Sequence, residues 1–170
     1  ANYLKKKKKI FIQIREPGGN KNSEKIRELI LNNKSTFNKH TDLLLYLSAR
    51  SENIDLIKKN IGKKIILIDR FSDSTIAYQH FGMGINLKFI KIINDFLIKK
   101  IKVDFTFLNT VSKKNMKKRL KKRNKLNRYD KFNDDFYEKV QKGFIKILKA
   151  NPKKYMNIDS NMNIEVNESI

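Results

Sequence analysis

Short β-branched apolar runs alternate along this chain with longer segments of helical period. Ile10 to Ile14 (IFIQI) and Ile65 to Ile68 (IILI) are continuous enough to be buried strands, and they run into Pro17-Gly18-Gly19 and Asp69-Arg70 respectively. Asp104 to Leu108 (DFTFL) and Tyr155 to Ile158 (YMNI) read as two more. Helical period fills the intervals: Ser23 to Asn32, Thr41 to Lys59, a short piece at Ser74 to His80, Leu87 to Ile98, Lys113 to Lys122 and Asp134 to Lys149. Strands alternating with helices imply crossover connections, so the pattern predicts an α/β fold, a three-layer parallel sheet with helices on both faces. With 170 residues and no internal repeat, one domain is expected.

Composition adds a charge to explain. The formal net charge is +22, with 39 Lys and Arg against 17 Asp and Glu. Such a surface can neutralise phosphates, as in a nucleic-acid-binding module. The excess is mostly Lys, however, and Lys, Asn and Ile, all with AT-only codons, are heavily used together. Codon bias therefore accounts for much of it as solvated Lys, and base-edge readers favour the Arg fork. No specific nucleic-acid partner is expected. With no cysteine there is neither a disulfide framework nor a thiolate metal site. No apolar run approaches the ~20 residues that span a bilayer, and the first residues lack an export-signal pattern. A cytoplasmic protein without membrane insertion is the expectation.

In parallel α/β folds the chemistry collects at the carboxyl ends of the strands. After the first run comes Arg15-Glu16-Pro17-Gly18-Gly19, a tight turn with two charged groups. After the second comes Asp69-Arg70-Phe71-Ser72-Asp73-Ser74-Thr75, a charged pair leading into a hydroxyl-rich helix start. Either alone reads equally well as a turn and a helix cap. A third element joins them: Tyr46 and Arg50 stand at i and i+4, so ring and guanidinium share one helix face suited to a planar base.

Taken in order, REPGG at Arg15 to Gly19, EKIREL at Glu24 to Leu29, YLSAR at Tyr46 to Arg50, DRFSDSTIAYQ at Asp69 to Gln79 and the basic RLKKRNKLNRYD at Arg119 to Asp130 resemble the bacterial thymidylate kinases, members of the P-loop nucleoside monophosphate kinase group. The resemblance implies transfer of the ATP γ-phosphoryl group to dTMP to give dTDP, with Mg²⁺. It implies that Arg27 and Arg70 grip the acceptor phosphate in a pocket shaped by Glu16 and Pro17. Tyr46, where the family usually has Phe, would stack on thymine while Arg50 bonds the base edge. Ser74, Thr75 and Gln79 would complete base recognition, and Tyr78 would press on the sugar. Residues 119–131 match the family's lid, making Arg119, Arg123 and Arg128, with Arg70, the candidates for neutralising charge on the transferring group. Asn127 replaces an Asp often found there. Arg119, Arg123 and Asp159 would lie by the ATP. The metal ligands stay unassigned, and a homodimer packed through helices is implied.

One element of the family pattern, G-x-x-x-x-G-K-[ST], does not occur in the 170 residues. That loop cradles ATP phosphates with backbone N–H groups and a Lys. The expectation is a family domain whose first strand and P-loop are absent, with a break in the sheet where that strand belongs and little activity of its own. A basic nucleic-acid-binding module and a non-catalytic nucleotide-binding relic are the alternatives.

Overall fold

A computed structural model describes residues 1–99 and 101–168. A short helix, α1 (Asn2–Lys6), leads into β1 (Phe11–Arg15), followed by α2 (Lys21–Leu31), α3 (Lys39–Asn60) and β2 (Ile65–Asp69). Next come α4 (Ser72–Thr75), a π-helix (Ile76–Gly82), α5 (Leu87–Ile98) and β3 (Thr106–Thr110). The chain continues through α6 (Lys113–Lys121), a 3₁₀ turn (Arg128–Lys131), α7 (Asp134–Ala150), β4 (Tyr155–Asp159) and α8 (Ile164–Glu168).

All pairing among the described residues is parallel. β1 lies beside β2, with Phe11 opposite Ile65 and Arg15 opposite Asp69. β3 lies beside β4, with Thr106 opposite Tyr155 and Thr110 opposite Asp159. Among the described residues no ladder joins these two pairs, and β1 does not pair with β3. The register brings Arg15 and Asp69 level, which sets the REPGG turn beside the Asp69-Arg70 pair.

The abundant asparagines have a structural use. Asn20, Asn38, Asn86 and Asn133 each cap a helix, accepting from backbone N–H groups of α2, α3, α5 and α7. Leu43 and Leu47 of α3 pack with Ile85 and with Ile90 of α5. A second cluster joins Ala77 of the π-helix to Phe136 and Val140 of α7. A Cβ on Gly143 would stand 2.5 Å from the Phe81 ring, so this glycine permits the close approach of α7 to the π-helix.

Two expectations shift. The Asp104–Leu108 strand is found two residues later, where Leu108 is the buried position and pairing with β4 defines the ladder. The expected short helix at Ser74 to His80 is a single turn of α-helix continuing as a π-helix, a widened form that concentrates at functional sites. It carries Tyr78 and Gln79.

Candidate active site

The REPGG turn is held from two helices. Gly19 has φ +108, and its N–H donates to Glu24 Oε1 at 2.9 Å. That bond, with the Arg15 ion pair at 2.9 Å, holds the Glu24 carboxyl below its ordinary pKa. Ser23 Oγ accepts from Gly18 N–H and donates back to the main chain. Asn53 of α3 donates to Gly18 O at 2.7 Å, and Arg27 donates to Pro17 O at 2.7 Å. Pro17, Arg27 and the turn therefore move as one unit.

Inside the turn lies a buried ion pair. Arg50 donates through Nε and Nη2 to Glu16 Oε2, both at 2.8 Å, and through Nη1 to Asn94 Oδ1 at 2.6 Å. Its side chain is 2% exposed and that of Glu16 4%. The guanidinium also stacks on Phe71, 5.0 Å from the ring centre. Burial raises the Glu16 pKa, and Arg50 and Asn53 only partly offset it. Glu16 Oε1 of this pair and Thr75 Oγ1 are buried without a hydrogen-bond partner, as is Asn167 Oδ1 near the end of the described residues. Buried polar atoms are nearly always paired in folded proteins, so these orphans have bonding capacity left over.

Arg70, at the end of β2, adopts φ +65, a left-handed conformation that a non-glycine residue takes at a cost of order 1 kcal/mol or more. The main chain there turns sharply out of the strand and presents the side chain over the Tyr78 ring, 5.0 Å from its centre. Burial works against the Arg70 charge, but Tyr78, Tyr46 and Asp69 outweigh it and the pKa is raised. Arg27 feels both Tyr46 and Arg70, and burial is the main cause of its lowered pKa. Burial also pushes the Tyr46 phenol up to about 12. Arg27, Tyr46, Arg70 and Tyr78, from four separate segments, thus come within interaction range of one another near the carboxyl ends of β1 and β2 and outline a candidate pocket.

Tyr129 of the 3₁₀ turn closes that pocket. Its ring meets Tyr46 and Tyr78 edge-on, with centroids 5.9 and 6.0 Å apart. Its hydroxyl donates to Asp42 Oδ2, and Arg128 pairs with Asp42 Oδ1. Asp42 also accepts from Gln79 Nε2 at 3.3 Å. Asn127 caps the turn, and Asp130 reciprocates by accepting from the Asn127 N–H. Asn127 is therefore a satisfactory cap here.

The candidate lid arginines point to different places. Arg128 donates to Ile30 O at 3.0 Å and to Asp42, on the side of α2 and α3. Arg123 pairs with Asp130 at 2.7 Å within the lid. Arg119 donates to Ser160 O, next to Asp159, whose carboxylate caps Asn161. Ser74, on α4, has its backbone N–H bonded to Phe71 O.

Asp42, Tyr129, Asn53 and Asn94 escaped the reading of the sequence. Asp42 alone left a signal. Asp42, Tyr46 and Arg50 fall at successive four-residue steps, so an acid, an aromatic and a base share one face of α3.

Parallel strands and crossover helices, with arginines and tyrosines gathered at the strand carboxyl ends, define a nucleotide-kinase-like α/β protein. The thymidylate kinase family model matches residues 1–170. Thymidylate kinase from Thermosipho africanus is 39% identical over 151 residues, covering 88% of this chain and 75% of the relative. That from Acholeplasma laidlawii is 36% identical over 167 residues, covering 95% and 82%. The crystal structure of thymidylate kinase from Ehrlichia chaffeensis matches with a TM-score of 0.73 at 31% identity, covering 94% of this chain and 76% of that one. The chain belongs to the thymidylate kinase family.

Proposed function

We propose that the pocket holds dTMP and that the chain's reaction is transfer of the ATP γ-phosphoryl group to the dTMP phosphate, giving dTDP and ADP. The observation that supports it best is the meeting of Arg27 and Arg70 with Tyr46 and Tyr78 at the ends of β1 and β2. Two guanidinium groups suit a phosphate dianion, and phenol rings suit a base and a sugar. The orphaned Glu16 Oε1 and Thr75 Oγ1 fit a polar ligand in the same region.

Phosphoryl transfer spreads charge over the equatorial oxygens, so the chain's contribution is positioning and charge neutralisation. In this reading Arg27 and Arg70 hold the acceptor oxygen in line. Arg119 and Arg123, on the lid of residues 119–131, neutralise the moving group. Arg128, tied to Asp42, holds the lid against the acceptor side. Mg²⁺ bound to the ATP phosphates would supply further charge neutralisation.

Packing as a homodimer is part of the same reading. Phe89, Ile92 and Phe96 make an exposed apolar stripe along α5, which a second copy would cover. No helix among the described residues is long and apolar enough to cross a membrane, and a cytoplasmic location fits. Neither a nucleic-acid-binding module nor a non-catalytic relic gains support, since the named relatives are kinases.

Coupled measurement of ADP release tests the proposal. The protein is given ATP, Mg²⁺ and one nucleoside monophosphate at a time, and ADP release should rise in proportion to dTMP. Preference for a purine monophosphate would refute the assignment of the acceptor.

A further inference from the structure

Asp42 is one carboxylate, 1% exposed, that receives three donors from two elements. Arg128 and Tyr129 come from the lid, and Gln79 from the π-helix. The lid is tied down beside it as well, by Asn33 donating to Leu126 O at 2.7 Å and by Arg128 donating to Ile30 O. Arg128 further packs over Phe37. The carboxylate therefore has a fixed orientation with both oxygens engaged.

A glutamine amide is ambiguous by itself, because its two ends differ only in donating or accepting. Rotated by half a turn, it can meet either kind of base edge. An ionised carboxylate only accepts, so the amide must turn Nε2 toward Asp42, and Oε1 becomes the end left for a ligand. The reverse orientation would set two acceptors face to face in a buried site, which is costly.

Thymine carries a hydrogen on N3 and cytosine a lone pair. An acceptor fixed opposite N3 bonds the first and repels the second. We propose that Asp42 is a positioning residue for base selection: it locks the Gln79 amide so that Oε1 can only accept, making the pocket select bases with an N3–H over cytosine. The inference rests on the reading of the pocket as a dTMP site. It explains why a buried acid is placed on the same helix face as Tyr46 and Arg50. It also links the lid to selectivity, since Tyr129 and Gln79 share Oδ2 of that carboxylate.

Equilibrium binding separates this from a general structural role without requiring turnover. Titration calorimetry of the 170-residue chain with dTMP and with dCMP gives a ratio of dissociation constants, which should favour dTMP by at least about a hundredfold. Asn accepts and donates, so Asp42→Asn frees the amide to turn. The ratio should then narrow about tenfold or more, with dCMP binding no weaker than in the wild type. A merely structural loss would weaken both ligands alike and keep the ratio, and that result would overturn the proposal. Should Asp42→Asn melt below the assay temperature, Asp42→Ser, whose hydroxyl also donates and accepts, is expected to narrow the ratio in the same way, and an unchanged ratio there counts against the lock. If the wild type binds neither nucleotide, the reading of the pocket fails and the lock with it. If the wild type prefers dTMP and the variants keep that preference, only the lock fails.

Discussion

Removing the Arg50 guanidinium tests the buried Glu16–Arg50 pair beneath the REPGG turn. In Arg50→Ala the Glu16 carboxylate loses two bonds of 2.8 Å, while its other oxygen is already unpartnered. Breaking a buried pair on one side costs about 3–5 kcal/mol. For a chain of this size each kcal/mol moves the melting temperature by about 2–4 °C, so a fall of roughly 6–20 °C is expected. The sign of the pH dependence follows from Glu16. Burial already raises its pKa above the usual 4.5, and Arg50 is the main influence pulling it back. Without Arg50 the native state holds the proton more tightly still, whereas the unfolded chain releases it at the ordinary value. The variant's stability should then be greatest below that ordinary pKa and fall as pH rises through the raised native value, by up to about 1.4 kcal/mol per pH unit between the two. Thermal melts of wild type and Arg50→Ala followed by circular dichroism at pH 5, 6, 7 and 8 give the difference directly. A gap between the two proteins that widens toward pH 8 is expected. A constant gap, or one below about 2 °C, would show that Glu16 is solvated and that Arg50 is free to serve the base alone.

Arg70→Ala should weaken dTMP binding about ten- to a hundredfold, the loss of one charge-assisted bond, while leaving the melting temperature nearly unchanged; calorimetry and a thermal melt check both parts. Gly19→Ala should destabilise the fold and the pocket together, because the new Cβ meets Ile14 Cγ2 at 2.8 Å at a residue with φ +108; a melting temperature equal to wild type would contradict that. Phe96→Asp, on the exposed stripe of α5, should shift the chain from dimer to monomer in sedimentation velocity with its fold intact. Absorbance titration should find the Tyr46 phenol still protonated near pH 11, since burial pushes its pKa up to about 12, and a Tyr46→Phe variant identifies its share of the signal.

Local pattern carried most of the element order. Ile10 to Ile14 and Ile65 to Ile68 are apolar runs that fold as strands, and their exits into REPGG and DRFSDST put charge at the strand ends, but the expected burial is not met: only Ile14 is buried, and Ile10 and Ile65 are exposed. Where the pattern was less decisive, pairing settled the matter. In DFTFLNT, alternation over Phe105, Phe107 and Asn109 fits two overlapping strands, and the parallel ladder with Tyr155 to Asp159 selects Thr106 to Thr110. The widened helix at Ile76–Gly82 left no mark in the periodicity, because a π-turn differs from an α-turn by a single residue.

The pocket was legible to a different depth on its two sides. Arg27, Tyr46, Arg50, Arg70 and Tyr78 were legible through the motifs that resemble the thymidylate kinases, since spacing alone left each of them open to a structural reading. The lid does not work that way. A basic stretch such as RLKKRNKLNRYD states that charge is available, but a long side chain on a mobile-looking sequence can reach several partners, and only the fold decides among them. Here it sends Arg119 to Ser160, Arg123 to Asp130 and Arg128 to Asp42, three destinations that one run of sequence could not distinguish. The deciding group for Arg128 is Asp42, 86 positions earlier. A buried acid on α3 must find donors or lose its charge, and the donors that satisfy Asp42 come from the 3₁₀ turn at Arg128–Lys131 and from the π-helix. The carboxylate that looked least like part of a site is thus the one that joins the 3₁₀ turn to the π-helix.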